Sequence, residues 1–198
     1  LFKIPKFMNE ITIPRSIEHE GTEYLITSVL SNYPKSKNAL SVRFAENSEV
    51  RTFYYKSFQS SNIKNLFIPA KLTEFQKGWC SNADKLTHIE ISPLNPNFAY
   101  VDEKLLLGKT DRNSDIFDII LYANRDIESV DIPSNIKIIS SFAFNNCKKL
   151  KTVNIPSNSE LQLIDDFSFS FSKIREIAIP SHVTKIGKYA FNFCTGLS

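Results

Sequence analysis

The residue types in this 198-residue chain that could do chemistry are few: three histidines, three cysteines and some closely spaced carboxylates. His19, His88 and His182 lie far apart, and none belongs to an HExxH pair. His88 and Glu90 stand two apart, which puts imidazole and carboxylate on one face of a strand. A metal site there would need further ligands, and only Glu176 offers itself, so two polar groups on a solvated face are expected. Asp165 and Asp166 are chain neighbours that point different ways, and they read as solvated carboxylates, not an acid–base pair. Asp111–Asp115, "DRNSD", has the opening of a calcium loop but lacks its glycine and terminal glutamate. It reads as a polar hairpin turn. Cys80, Cys147 and Cys194 form no C-x-x-C pair, and an odd count argues against a disulfide framework. No GxSxG, P-loop or GxGxxG sequence occurs. A non-enzymatic protein without metal or cofactor is expected.

Composition narrows the partner class. The 24 basic and 21 acidic residues are interspersed and leave a net charge of +3. No basic stripe would track phosphates, so nucleic acid is not an expected partner. No apolar run approaches the roughly 18 residues that a membrane span needs, so this segment is expected to make no membrane contact. The N-terminus has no signal-peptide apolar region and begins with Leu1, so the chain is expected to be a segment of a longer protein. The 17 asparagines include no N-x-S/T sequon.

What must position any functional side chain is a repeat. Displaced by 47, Ile132 falls on Ile179, Ile136 on Val183, Ile139 on Ile186, Phe144 on Phe191 and Cys147 on Cys194. Displaced by 64, the same stretch meets Ile68, Leu72, Phe75 and Leu86 without a gap. A second unit, 155–178, lands on 44–67 at a displacement of 111, with Phe169 on Phe58 and Ile174 on Ile63. Repeats of 23 and 24 residues with fixed apolar positions mean a solenoid.

Within each unit, "LKTVNIP" alternates Val153 and Ile155 with Thr152 and Asn154, the period of a half-buried strand. Pro156 ends it, since proline cannot donate to a ladder. "FAFNNC" and "YAFNFC" place Ala143, Phe144 and Cys147, and their equivalents, at a short helical spacing on the opposite wall. Phe58, Phe144, Phe169 and Phe191 are expected to fill the interior as an aromatic spine. Cys147 and Cys194 are equivalent sites two coils apart, with Ser172 between them. Two rungs span roughly 10 Å, beyond the roughly 7 Å between Cα atoms that a disulfide allows, so buried thiols are expected. Trp79 takes the Ala143 position and Cys80 the Phe144 position, which predicts a locally repacked coil.

At "IPSHVTKIGKYAFNFCTGL", Ile179 to Leu197, the chain resembles the BspA-like leucine-rich repeat family of surface antigens. The resemblance covers residues 44–91 and 127–198. It implies a right-handed leucine-rich-repeat coil, an α/β solenoid with a parallel β-sheet on the concave side and short helical or 3-10 turns on the convex side. It also implies cell-surface adhesion or binding of host or extracellular-matrix proteins. The expected organisation is an N-terminal hairpin or cap at 1–43, repeats at 44–91, a β-hairpin insertion at 92–126 and repeats at 127–198, the last one incomplete. Strand-like pieces in the insertion are 98–101, 104–108 and 116–122, with turns near Asp102-Glu103 and 111–114. The repeat resumes on both sides of it, which argues against a domain boundary there. Ser198 is expected to leave a coil unfinished.

The outward strand positions form two rows. One is Arg43, Phe67, Glu90, Asp131, Asn154 and Ala178; the other is Ser41, Asn65, His88, Ser129, Thr152 and Glu176. The mixture leans acidic, and Phe67 is its one large apolar side chain, a contact anchor of the kind binding hot spots favour. The expected function is protein binding through this face, as part of a surface adhesin; an intracellular scaffold using the same face is the alternative. Other repeat proteins are also expected among its partners.

Overall fold

The computed structural model describes residues 9–30, 40–59 and 61–197. Residues 1–8 and 31–39 of the expected N-terminal hairpin or cap, and Ser198, lie outside the described residues. The chain forms two compact units, Leu1–Asn97 and Phe98–Ser198. The division falls inside the insertion, where continuity of the repeat argued against one.

In the first unit the strands are β1 (Glu10–Ile13), β2 (Ser16–His19), β3 (Thr22–Leu25), β4 (Ser28–Val29), β5 (Leu40–Phe44), β6 (Thr52–Phe53), β7 (Ile63–Ile68), β8 (Glu74–Phe75) and β9 (His88–Ile91). The Ile-Pro strands lie side by side in the parallel order β1-β5-β7-β9. A second parallel sheet, β4-β6-β8, is built from strands of only two residues. Each coil therefore contributes one long and one short strand. The short set escapes sequence reading because two residues cannot display a period.

The second unit holds β10 (Ala99–Val101), β11 (Leu105–Gly108), β12 (Ile119–Ala123), β13 (Ser129–Asp131), β14 (Ile138–Ile139), β15 (Thr152–Asn154), β16 (Leu163–Ile164) and β17 (Lys185–Ile186). The insertion forms the antiparallel run β10-β11-β12, close to the expected pieces. Its first turn is closed by the Lys104 amide donating to the Val101 carbonyl at 2.9 Å, and its central residues Asp102 and Glu103 have φ 52° and 53°, the pair of positive values of a type I′ turn. β12 then pairs in parallel with β14, so the insertion ends as a rung of the short-strand sheet β12-β14-β16-β17. β13 pairs with β15, and Thr152 bridges to Glu176.

The expected helical turns are absent; no helix occurs among the described residues. The reason is local and repeated. Phe142 and Asn146, Phe167 and Phe171, and Tyr189 and Phe193 all have φ between 55° and 63°. A left-handed residue at every fourth position stops a right-handed helix before a turn can close. Alternate amides then turn locally: Ala143, Asn145 and Cys147 donate to Ser140, Phe142 and Phe144 carbonyls. The amides between them, Phe142, Phe144 and Asn146, donate to the next coil at Asp166, Ser168 and Ser170, at 3.2, 2.7 and 3.0 Å. Phe167, Phe169 and Phe171 repeat this toward Lys188, Ala190 and Asn192. A helix is about 10 Å across, whereas paired strands stack about 4.8 Å apart. A wall of turns keeps the strand spacing; a wall of helices would not.

The core follows the register. Phe144, Phe169 and Phe191 stack with centroids 4.7 and 5.4 Å apart and planes within 7°. Phe144 and Phe169 are wholly buried, each worth about 1.5–3 kcal/mol. Two outer rows flank this one on the left-handed positions: Phe142, Phe167 and Tyr189, and Phe171 with Phe193. In the first unit, buried Phe58 meets Phe53 and Trp79 edge-on at 5.1 and 6.1 Å. Trp79 and Cys80 are both buried, in the swapped arrangement that the repeat predicted. All three cysteines are free and buried. Ser172 Oγ lies 3.4 Å from Cys194 Sγ.

Three polar groups stand where sequence did not place them. Asp165 is buried, not solvated, and its Oδ1 accepts from the Asp166 amide at 2.9 Å. Asp166 in turn accepts from the Lys188 amide at 2.7 Å, so the carboxylate pair pins the turn wall. Asp118 is buried in the insertion and accepts from the Thr110 amide (2.7 Å), the Thr110 hydroxyl (2.5 Å) and Lys137 Nζ (3.2 Å). Burial opposes ionisation there, but the Thr110 donors and Lys137 outweigh it and hold the Asp118 carboxyl below its ordinary range. Arg125, also buried, lies over the Tyr122 ring at 4.4 Å and donates to the Ala143 carbonyl at 2.7 Å.

Phe169→Ala is expected to cost about 3–5 kcal/mol in urea unfolding. Phe171→Asn is expected to change stability by no more than about 1 kcal/mol, because relief at the left-handed position offsets the lost stacking. A lowered Asp118 pKa in the fold means its contribution is present above the unfolded value of about 3.9 and is lost as pH falls through the folded value. Asp118→Asn is therefore expected to lose less stability than wild type on acidification below about pH 4, measured as Tm against pH.

Candidate binding face

Outward side chains on the Ile-Pro strands are set by pleat and register. In β9 and β13 the inward residues Ile89 and Val130 are buried while His88, Glu90, Ser129 and Asp131 are exposed. Each unit carries its own part of the two rows.

In the first unit, Asn65 aligns with Ser41 on one side and His88 on the other, and Phe67 aligns with Glu90. The rows extend one strand further than sequence placed them, since Glu10 aligns with Ser41 and Thr12 with Arg43. "EITIP" carries the same alternation as "IKNLFIP", so the signal was present. Arg43 organises this patch. Its Nη2 lies 3.0 Å from Glu90 Oε2, its Nε 4.0 Å from Glu10 Oε2, and its guanidinium 5.6 Å from the Phe67 ring centre. Phe67, the expected contact anchor, is half-buried under that guanidinium. Asn65 Nδ2 donates to Ser41 Oγ at 2.8 Å. Between these groups lies a depression of about 160 Å³, floored by Val42 and Leu66 and edged by His88 and Glu90.

In the second unit, Ser129 aligns with Thr152 and Asp131 with Asn154, while Thr152 continues to Glu176. Asn154 Nδ2 donates to Asp131 Oδ1 at 2.7 Å. Lys151 and Glu128 form an exposed pair beside the row at 3.3 Å. Sequence thus placed these residues in the correct rows, strand by strand within each unit. It did not foresee that the acidic members Glu90 and Asp131 are already engaged by Arg43 and Asn154.

Little here supports other chemistry. Among the described residues, no group of three or more potential ligands gathers to hold a metal ion. Cys147 is wholly buried, and its thiol is pushed up by that burial, against the pull of the adjacent Arg125. A neutral, enclosed thiol is a poor nucleophile. No helix among the described residues is long and apolar enough to cross a membrane.

The repeat is matched by the BspA type leucine rich repeat region in six copies, over residues 2–106 and 115–198. The chain belongs to the BspA-type leucine-rich repeat family. Two solved structures are similar in fold. A leucine rich cell surface protein from Faecalibacterium prausnitzii A2-165 aligns with TM-score 0.67 and 20% identity, covering 98% of this chain and 53% of that one. A leucine-rich repeat protein from Eubacterium ventriosum ATCC 27560 aligns with TM-score 0.70 and 22% identity, covering 96% and 53%. At these identities the likeness is one of fold, and the chain spans about half the length of each. No curated protein matches the sequence.

Arg43 and Glu90 are both about half exposed, so their pair arranges the face more than it stabilises the coil. A double-mutant cycle with Arg43→Ala and Glu90→Ala is expected to give a coupling of about 0.2–1 kcal/mol in urea unfolding, shrinking with added salt.

Proposed function

We propose that this chain is a non-enzymatic protein-binding segment of a cell-surface adhesin, and that it meets its partner through the outward rows of the Ile-Pro strands. The partner is a host or extracellular-matrix protein or another repeat protein. One observation carries the reading: the exposed side chains of neighbouring strands hold one another in place. Arg43 is fixed by Glu90 and Phe67, Asn65 by Ser41, and Asp131 by Asn154. Side chains already ordered on a rigid sheet lose less entropy on binding than free ones do. The first unit's rows combine an aromatic–arginine cluster, Phe67 with Arg43, with polar neighbours Ser41, Asn65 and His88, the composition of a protein-contact surface. Location at the surface is supported by family membership and by the description of the Faecalibacterium neighbour as a cell surface protein.

The test joins surface labelling of intact cells to capture of partners by the immobilised segment. Labelling from outside is expected. The paired substitution Phe67→Ala with Asp131→Lys is expected to lower capture by about tenfold or more, since truncating a hot-spot aromatic costs more than about 1 kcal/mol. Unchanged capture by the folded variant would refute the face.

A further inference from the structure

A second surface stands apart from the strand rows. The hairpin β2–β3 is spliced between β1 and β4, strands that pair with β5 and β6 of the following coil. β5 reaches β6 with seven residues between them, Ala45 to Arg51, whereas fourteen separate Ile13 from Ser28. The coil closes without the hairpin. Its turn has Glu20 and Gly21 at φ 51° and 75°, a tight two-residue reversal that glycine eases.

Nothing among the described residues covers this hairpin. It pairs with no third strand, and all eight strand residues are at least partly exposed. A lone two-stranded hairpin is only marginally stable in water. Its faces are unlike each other. Ile17 lies opposite Tyr24, 43% and 52% exposed, on the side shared with His19 and Thr22. Glu18 lies directly opposite Glu23 on the other side, beyond the Ser16–Leu25 pair, where Ser16 Oγ donates to Glu23 Oε1, and Glu20 caps the turn. Facing like charges destabilise a strand pair. The backbone is equally open. The Arg15 carbonyl accepts from the Ile26 amide, so register makes Ile17–Tyr24 a mutually bonded pair and turns the Glu18 and Glu23 amides and carbonyls outward.

We infer that this hairpin is a docking arm that takes an extended, amphipathic segment of a partner protein as a third strand, with lysine or arginine against Glu18 and Glu23 and apolar side chains against Ile17 and Tyr24. Charge complementarity selects the basic face, and the open edge supplies the main-chain bonds of strand addition. The arm is independent of the strand rows.

The probe is a fluorescein-labelled peptide alternating lysine and valine, followed by anisotropy. The chain carries one tryptophan, and its burial as Trp79 makes its fluorescence a check that each variant is folded. Wild type is expected to bind the Lys/Val peptide. Glu18→Lys with Glu23→Lys is expected to weaken it by about tenfold or more and to favour a Glu/Val peptide instead. N-methylation of alternate peptide amides is expected to abolish binding. Phe67→Ala with Asp131→Lys is expected to leave it unchanged. Failure of wild type to bind, equal binding by the charge-reversed chain, or equal binding of the N-methylated peptide would each overturn the inference.

Discussion

The spacing of about 4.8 Å between hydrogen-bonded neighbours is the constraint on which the rest of the structure depends. Each wall of a coil must meet the next coil at that distance. The Ile-Pro strands do so, and so do the two-residue strands. The turn wall does so by alternating local amide bonds with bonds to the neighbouring coil. The turn-wall amides of Phe142 to Cys147 are thereby all satisfied. The aromatic rows, with centroids 4.7–5.4 Å apart, show the same distance in side chains.

Much of this was legible in the sequence because solenoids convert chain displacement into spatial neighbourhood. Gapless shifts of 47, 64 and 111 residues identified the strands, the interior phenylalanines and the equivalent cysteines. The turns were not legible as turns. Ala143, Phe144 and Cys147 have a spacing that fits a helical turn, and nothing in a phenylalanine announces a positive φ. In the first unit the corresponding positions carry Gly78 and Asn82, residues that favour the left-handed region, and reading them against Phe142 and Asn146 would have exposed the pattern. Asp118, Asp165 and Arg125 were missed for another reason. A polar residue reads as solvated unless its partners are known, and these partners do not show in the sequence: the next residue's own amide for Asp165, Thr110 and Lys137 for Asp118, and the Ala143 carbonyl for Arg125.

The strand face was legible as rows but not as a bonded surface. Alternation says which side chains point outward. It cannot say that Arg43 reaches both Glu90 and Phe67, since that depends on side-chain length across two rungs. The consequence for binding is concrete. A face whose charges are already paired with one another presents shape and hydrogen-bonding groups more than net charge. The β2–β3 hairpin is the opposite case, with like charges opposed and no third strand on its edges among the described residues.

The central claim is that the turn wall is bonded between coils and not wound into helix. Scalar coupling across hydrogen bonds, measured by NMR on isotopically labelled protein, tests it at single bonds. The account predicts a coupling between the Phe144 amide nitrogen and the Ser168 carbonyl carbon, the 2.7 Å contact. A coupling from Phe144 to the carbonyl of Ser140, four residues back in the same coil, would mean a helix and would contradict it.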